Sequence, residues 1–305
     1  MKRVVAALTL LAAVPQDPPT TRVQPFNWPA GTVALVETEY VREVNDGLTV
    51  QQLAVLRMTH RMRVSPHPEG VLVQFDNQKA IAAAGDMADA LGALLPWWVP
   101  RIIVGGDGHV VRIEQTERVQ ELVGQVFEPL ATTPTEQSPA ALKDLLTIMA
   151  SGAGLRSLVQ DDWDHLVGKW IAAPLDADSV ESTAVSMLLN SIPIRSTVRR
   201  QVIDRASCVR EDAVIDCATL ESRSVIDPES LPVLQNYLSP AAANAGVRIV
   251  GSEKVDRVTL EIGTMLPHEA ILTRTVRGTT DLSGRTVSTE NVQRRRVRFT
   301  YVNAQ

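Results

Sequence analysis

Residues 50–64 alternate without a break. Val50, Gln52, Ala54, Leu56, Met58, His60, Met62 and Val64 fall on one side of an extended chain, and Gln51, Leu53, Val55, Arg57, Thr59, Arg61 and Arg63 on the other. A helix would scatter both sets around its circumference, so this period of two predicts a long, half-buried strand, mostly apolar on one face and ending in a basic stripe on the other. A strand this long must pair along its whole length. Asn45-Asp46-Gly47 supplies a turn back to a strand Val33–Val44, and His67-Pro68-Glu69-Gly70 a turn forward to Val71–Phe75, which makes a three-stranded meander.

The period then lengthens. Between residues 80 and 170 four apolar stripes have helical spacing: Ile81, Ala84, Ala88, Leu91 and Leu95; Val119, Leu122, Val123, Val126 and Phe127; Leu142, Leu145, Leu146 and Met149 behind a Ser138-Pro139 start; and Leu155, Leu158, Val159, Trp163 and Leu166. A short hairpin, Arg101–Val104 and His109–Glu114, turns through Gly105-Gly106-Asp107-Gly108 within this block. Beyond it the units are strands again: Ile194–Ser207, Val214–Ile226, Val247–Thr264, Glu269–Thr279 and Arg285–Val302, with a short helix over Leu231, Leu234 and Leu238 after Asp227-Pro228-Glu229. The expected fold is therefore α+β and mainly antiparallel β, with long-strand meanders forming a curved sheet or half-barrel and a helical insert acting as a lid. One β-rich domain spans 31–305, divided into strands 31–79, the mainly helical insert 80–182 and strands 183–305.

With 45% hydrophobic residues and a formal charge of -5, the chain has the composition of a packed domain rather than a disordered one. Met1-Lys2-Arg3 precedes an apolar run from Val4 to Val14, broken only by Thr9 and followed by Pro15. That is the layout of a secretory signal peptide over 1–15, cleaved near Ala13, with a flexible proline-rich linker over 16–30. The run is too short for a transmembrane span and has no lipid-anchor cysteine at its end, so a periplasmic or extracellular location is expected. The only cysteines, Cys208 and Cys217, fit an exported protein with one disulfide. A hairpin centred between Asp212 and Ala213 would set them opposite each other, and the closed loop is worth roughly 2–3 kcal/mol.

Charge divides with the period. Residues 80–182 carry 6 basic and 15 acidic groups, and residues 183–305 carry 16 and 13. So acidic an insert argues against nucleic acid as a partner. Arg294, Arg295, Arg296 and Arg298 alternate between the faces of a strand rather than forming one patch. No G-x-S-x-G, H-E-x-x-H, phosphate-loop or dinucleotide-loop pattern occurs, and the five histidines have no ligand spacing. The reading is accordingly of a non-enzymatic protein with no metal and no cofactor. His60 sits on the apolar face of its strand, as a core histidine. Asp161-Asp162-Trp163-Asp164-His165 is the densest polar cluster, and on a helix its aspartates spread over a solvated surface. Trp97 and Trp98, between Pro96 and Pro100, cannot both point into one core if the segment is extended; they read as core or interface anchors or, alternatively, as ligand contacts.

The step Gly108-His109-Val110-Val111 within the short hairpin, the motif Gly168-Lys169-Trp170 and the segment from Gly263-Thr264-Met265-Leu266-Pro267-His268 to Thr275 resemble a poorly characterised family of secreted bacterial β-proteins of unknown function. The layout also resembles the half-barrel carriers of periplasmic lipoproteins and lipids, in which helices cover a curved sheet's apolar concave face. That resemblance implies hydrophobic-ligand binding, and with the exported start it gives an envelope protein holding a lipid-like ligand; the alternating strand face and the tryptophan pair supply Leu56, Met58, Met62, Trp97 and Trp98 as its candidate contacts. The alternatives are a protein-interaction or structural envelope module, and a hydrolase whose site uses the Asp161–His165 cluster or His60 with a nucleophile.

Overall fold

The computed structural model describes residues 26–84, 101–117, 120–121, 151–171, 180–187, 193–238, 248–282 and 285–302. Five strands come first: β1 (Val33–Asn45), β2 (Val50–His67), β3 (Gly70–Ala84), β4 (Arg101–Val104) and β5 (Val110–Glu114). Helix α1 (Gly152–Leu166) and a 3-10 turn (Gly168–Trp170) follow. Then come β6 (Val180–Met187), β7 (Pro193–Arg210), β8 (Ala213–Ile226), a 3-10 turn (Pro228–Ser230), α2 (Leu231–Leu238), β9 (Arg248–Glu261), β10 (Pro267–Leu282) and β11 (Arg285–Val302).

All eleven strands form one antiparallel sheet in the order β5-β4-β3-β2-β1-β11-β10-β9-β8-β7-β6. Each half of the chain is a meander, and the two halves join where β1 pairs with β11. The sheet is open, and its outermost strands are short, which limits the unpaired backbone left at the edges. It is also curved. The β7–β8 turn lies close enough to the end of β11 that Val209, Glu211 and Asp212 share a broad depression with residues 299–302, although β10, β9 and β8 stand between.

Period-two alternation sorts the side chains. Ala34, Val36 and Thr38 of β1, His60, Met62 and Val64 of β2, Val258 and Leu260 of β9, and Val297, Phe299 and Tyr301 of β11 are buried on the inner face. On the outer face Arg57 pairs with Glu39 at 2.7 Å, Arg296 with Glu269 at 2.6 Å and Arg257 with Glu221 at 2.6 Å. Such exposed pairs stabilise little, about 0–1 kcal/mol each, but they keep a wide sheet soluble on one side. Of the arginines at the end of β11, Arg294, Arg296 and Arg298 fall on this outer face, and Arg295 alone points inward, in the register of Tyr40 and Leu272.

Helix α1 covers the apolar end of the inner face. Ser151 caps it by accepting from the Gly154 amide at 3.0 Å, and Leu155, Val159 and Trp163, one turn apart, are its buried stripe. Trp163 packs 5.2 Å from Trp28 and 6.0 Å from Phe26, ring centre to ring centre, and its indole N–H donates to the Gly108 carbonyl at 2.9 Å. Gly108 is required there. Its φ is +81°, and a Cβ would collide with Phe26 and Ile171. Trp28 is held in turn by its own indole N–H on the Met265 carbonyl, 3.1 Å away. The linker expected over 16–30 is therefore packed core at Phe26 and Trp28, while 16–25 lie outside the described residues.

The strands follow the expected pattern closely, with three differences. Ile81 and Ala84, read as the start of a helix, continue β3, because β2 is long enough to pair with it as far as Val55↔Ala84; a hydrogen-bonded ladder outweighs the helical preference of an alanine-rich stretch. The rest of that stripe and the next two lie outside the described residues, whereas the fourth is α1. Strand β6 was not anticipated; VESTAVSM has little apolar alternation and is a strand because β7 offers it an edge. The β7–β8 hairpin turns through Glu211 and Asp212, both at positive φ, so Arg210 pairs with Ala213 and Cys208 stands opposite Ile215. Cys208 and Cys217 are thus diagonal partners rather than directly opposite, and their Cα atoms, 5.9 Å apart, still accommodate the disulfide.

Because Trp163 joins α1 to two separate segments, Trp163→Ala should lower unfolding stability by about 3–5 kcal/mol in a urea titration. A loss below about 1 kcal/mol would mean that α1 is not anchored through this ring.

Candidate functional site

Three consecutive rows of residues cross the inner face at right angles to the strands. The first, Thr38–Val297–Ala270–Val258–Leu220, is nearly all apolar. The second, Tyr40–Arg295–Leu272–Asp256–Ser222–Arg200, is mixed. The third, Arg42–Gln293–Arg274–Lys254–Ser224, is polar and basic. Moving along β1 from Ala34 to Arg42, the face therefore changes from hydrocarbon to cations.

Helix α1 and the turn after it meet this border with charge. Lys169 forms an ion pair with the buried Asp256, which also has His165 Nδ1 3.4 Å from its Oδ1 and Lys254 Nζ 3.8 Å from its Oδ2. Asp162 pairs with Arg295, and Asp164 accepts from the Gln160 amide at 2.8 Å. The Asp161–His165 cluster is consequently no solvated surface: Asp161 is exposed, but Asp162 and His165 turn to the sheet. The reason is tertiary, since opposing cations on β9 and β11 draw that side of the helix inward.

Burial sets the protonation of this cluster. It opposes a charged Asp256, yet the nearby His165 imidazole, with Lys169 and Lys254, outweighs it and holds the carboxyl well below the usual range. Burial pushes Lys169 down to about 8 against the pull of Asp256, and lowers His165 and Lys254 as well. A pocket of about 10 Å³, room for one water, lies between α1 and β10–β11, lined by Asp162, His165, Leu166, Asp256, Leu272 and Arg295 among others. Ser222 is buried in register beside Asp256, but among the described residues no hydrogen bond joins it to His165, Lys169 or Asp256. The nucleophile–base contact that a hydrolytic reading needs is thus missing there.

The residues singled out as ligand contacts divide. Met62 is fully buried under α1 as core, Leu56 is buried beside Tyr40, and Met58 is half-buried beside Thr38. Trp97 and Trp98 lie outside the described residues. His60 is a core residue, stacked edge-on against Phe75 at 5.1 Å with Nδ1 unpartnered. Its burial, and secondarily Arg295, push its pKa down to about 4. The basic row was missed, because Arg42, Lys254 and Arg274 are far apart in the chain and only strand register unites them.

A second buried carboxylate closes the other end of β9. Glu261 accepts from Arg210 at 2.7 Å and Thr264 Oγ1 at 2.6 Å and lies 3.1 Å from His268 Nε2. His268 approaches the disulfide, with its ring nitrogen and both sulfurs within 4.8 Å of one another, but sulfurs bonded to each other offer no thiolate to a metal. No family model matches the chain, and no curated protein is significantly similar to it.

Two predictions follow from these environments. Between pH 6.5 and about 4 the unfolded chain binds a proton at residue 60 that the folded chain refuses, so stability falls as pH drops through that window. His60→Leu should flatten this fall by up to about 3 kcal/mol in pH-dependent urea unfolding, leaving the part due to His165; an unchanged slope would place the proton elsewhere. Asp256→Ala should cost about 3–5 kcal/mol by stranding buried cations, and Asp256→Leu with Lys169→Met should cost less than the sum of the two single changes. Simple additivity in that cycle would show the pair to be uncoupled.

Proposed function

We propose that this chain is an exported cell-envelope protein that holds a hydrophobic ligand against the inner face of its curved sheet. The observation that carries this reading is that one open sheet has an inner face whose apolar end packs under α1, while towards the β1–β2 turn the half-buried Tyr40 and Val276 continue that face beside the basic row. An antiparallel sheet with one charged, solvated face and one apolar face must cover the latter, and a removable apolar molecule is one such cover. Export is supported by the Cys208–Cys217 disulfide, by the basic-then-apolar start of the sequence, and by the absence, among the described residues, of any helix long and apolar enough to span a membrane. The arrangement is in keeping with the resemblance to half-barrel carriers of lipids and lipoproteins, which adds a layout and no residue-level match.

A second reading, an interaction module of the envelope, draws on the hairpin tips. Leu48 and Val50 at the β1–β2 turn are 82% and 69% exposed, and Val209 and Val214 at the β7–β8 turn 62% and 75%.

Native mass spectrometry on protein purified gently from its own envelope fraction separates the two. The carrier reading expects an adduct of several hundred daltons (roughly the mass of a lipid of the size such pockets enclose) that organic solvent removes. A bare monomer that also ignores fluorescent fatty-acid probes would end that reading, and bare dimers or a co-purified protein would favour the module.

A further inference from the structure

We propose that the ligand is an anionic lipid, its charged headgroup resting on the basic row of the inner face at Arg42 and Arg274 and its apolar part along Tyr40 and Val276. This rests on the proposed function and names the class of molecule that the same face selects.

Some of the charges on the inner face are already matched. Arg295 has Asp162, and Lys169 and Lys254 share Asp256. Arg42, Arg200 and Arg274 form no ion pair among the described residues, although ten arginines there do, chiefly on the outer face and at the strand ends. Arg42 is half-buried, and its Nε is a buried donor without a hydrogen-bond partner. A buried donor left unsatisfied costs about 1–3 kcal/mol, and more when charged, so this position is built for an acceptor that arrives from outside the described chain.

Register makes the site specific. Arg42 and Arg274 both flank Gln293, one strand to either side, which sets their backbones about 10 Å apart, within the joint reach of two arginine side chains. Both guanidinium charges act on the Tyr40 hydroxyl one row away, so they address a common region of the face. Lys254 stands next to Arg274 in the same row. A phosphate or carboxylate placed there would accept from the planar forks of two arginines, the geometry in which arginine binds such groups best. Half-buried apolar side chains flank the row on the same face, Tyr40 two residues before Arg42 and Val276 two residues after Arg274. A molecule that satisfies both sides at once carries its charge at one end and hydrocarbon at the other. A neutral lipid would leave Arg42 unpaired, and a soluble anion would make no use of the apolar side chains beside the row.

The test uses the full chain, incubated with vesicles of phosphatidylcholine, diacylglycerol and phosphatidylglycerol in equimolar mixture. After separation, the lipid retained by the protein is extracted and quantified by mass spectrometry. Phosphatidylglycerol should be enriched over both neutral-headed lipids by roughly tenfold, the equivalent of about 1.4 kcal/mol. Arg42→Gln with Arg274→Gln should abolish the enrichment while diacylglycerol retention persists, and because neither arginine holds an ion pair among the described residues and the Arg42 Nε is an unsatisfied buried donor, the thermal melt should not fall. Equal retention of all three lipids, or an enrichment that survives the double change, would overturn the headgroup assignment and leave the hydrophobic-ligand reading standing. Retention of none would remove both. Loss of the enrichment in excess inorganic phosphate, with lipid still bound, would reassign the row to a free anion.

Discussion

The pairing of the first strand with the last is the contact on which the rest of this structure depends. All thirteen residues of β1 pair with β11, from Val33↔Val302 to Asn45↔Glu290. Without it the chain would be two separate meanders, each with an exposed central edge and half of an apolar face. With it, Ala34, Val36 and Thr38 meet Tyr301, Phe299 and Val297, and one continuous inner face forms across eleven strands. Loop-closure entropy grows only slowly with length, so bringing together segments this distant is thermodynamically tolerable, but such non-local pairing makes folding slow.

The joined face is not uniform, and its gradient gives the molecule its chemical character. At one end aromatic and aliphatic side chains pack under α1, with Trp163 and Trp28 tied by their indole N–H groups to Gly108 and Met265. At the other end the same strands carry Arg42, Arg274 and Lys254. Asp256 and the α1 aspartates stand at the border and match some of those cations, which is why so acidic a helix can lie on a sheet at all. Arg42 and Arg274 hold no ion pair among the described residues.

Strand positions could be read from alternation because a half-buried strand must alternate: β1, β2, β8 and β11 begin or end within a few residues of where the pattern places them. The core role of His60 was also readable, since it shares a face with Met58 and Met62. Residues whose environment comes from another element were not readable. The Asp161–His165 run has the composition of solvated helix, and nothing near it in the chain announces Arg295 or Asp256. Phe26 and Trp28 sit in a proline-rich stretch that reads as linker, and only the distant Met265 carbonyl and the Trp163 ring make them core.

Local chemistry alone therefore determines that this chain makes long antiparallel strands, an α1 helix and a disulfide-bridged hairpin, because periodicity, turn residues and cysteine spacing act over a few residues. The order of strands, the union of two meanders into one curved sheet, and the assembly of a basic row beside an apolar one belong to tertiary structure. They depend on register between segments far apart in the chain, and register is chosen by the burial of a whole face at once rather than by any residue within it.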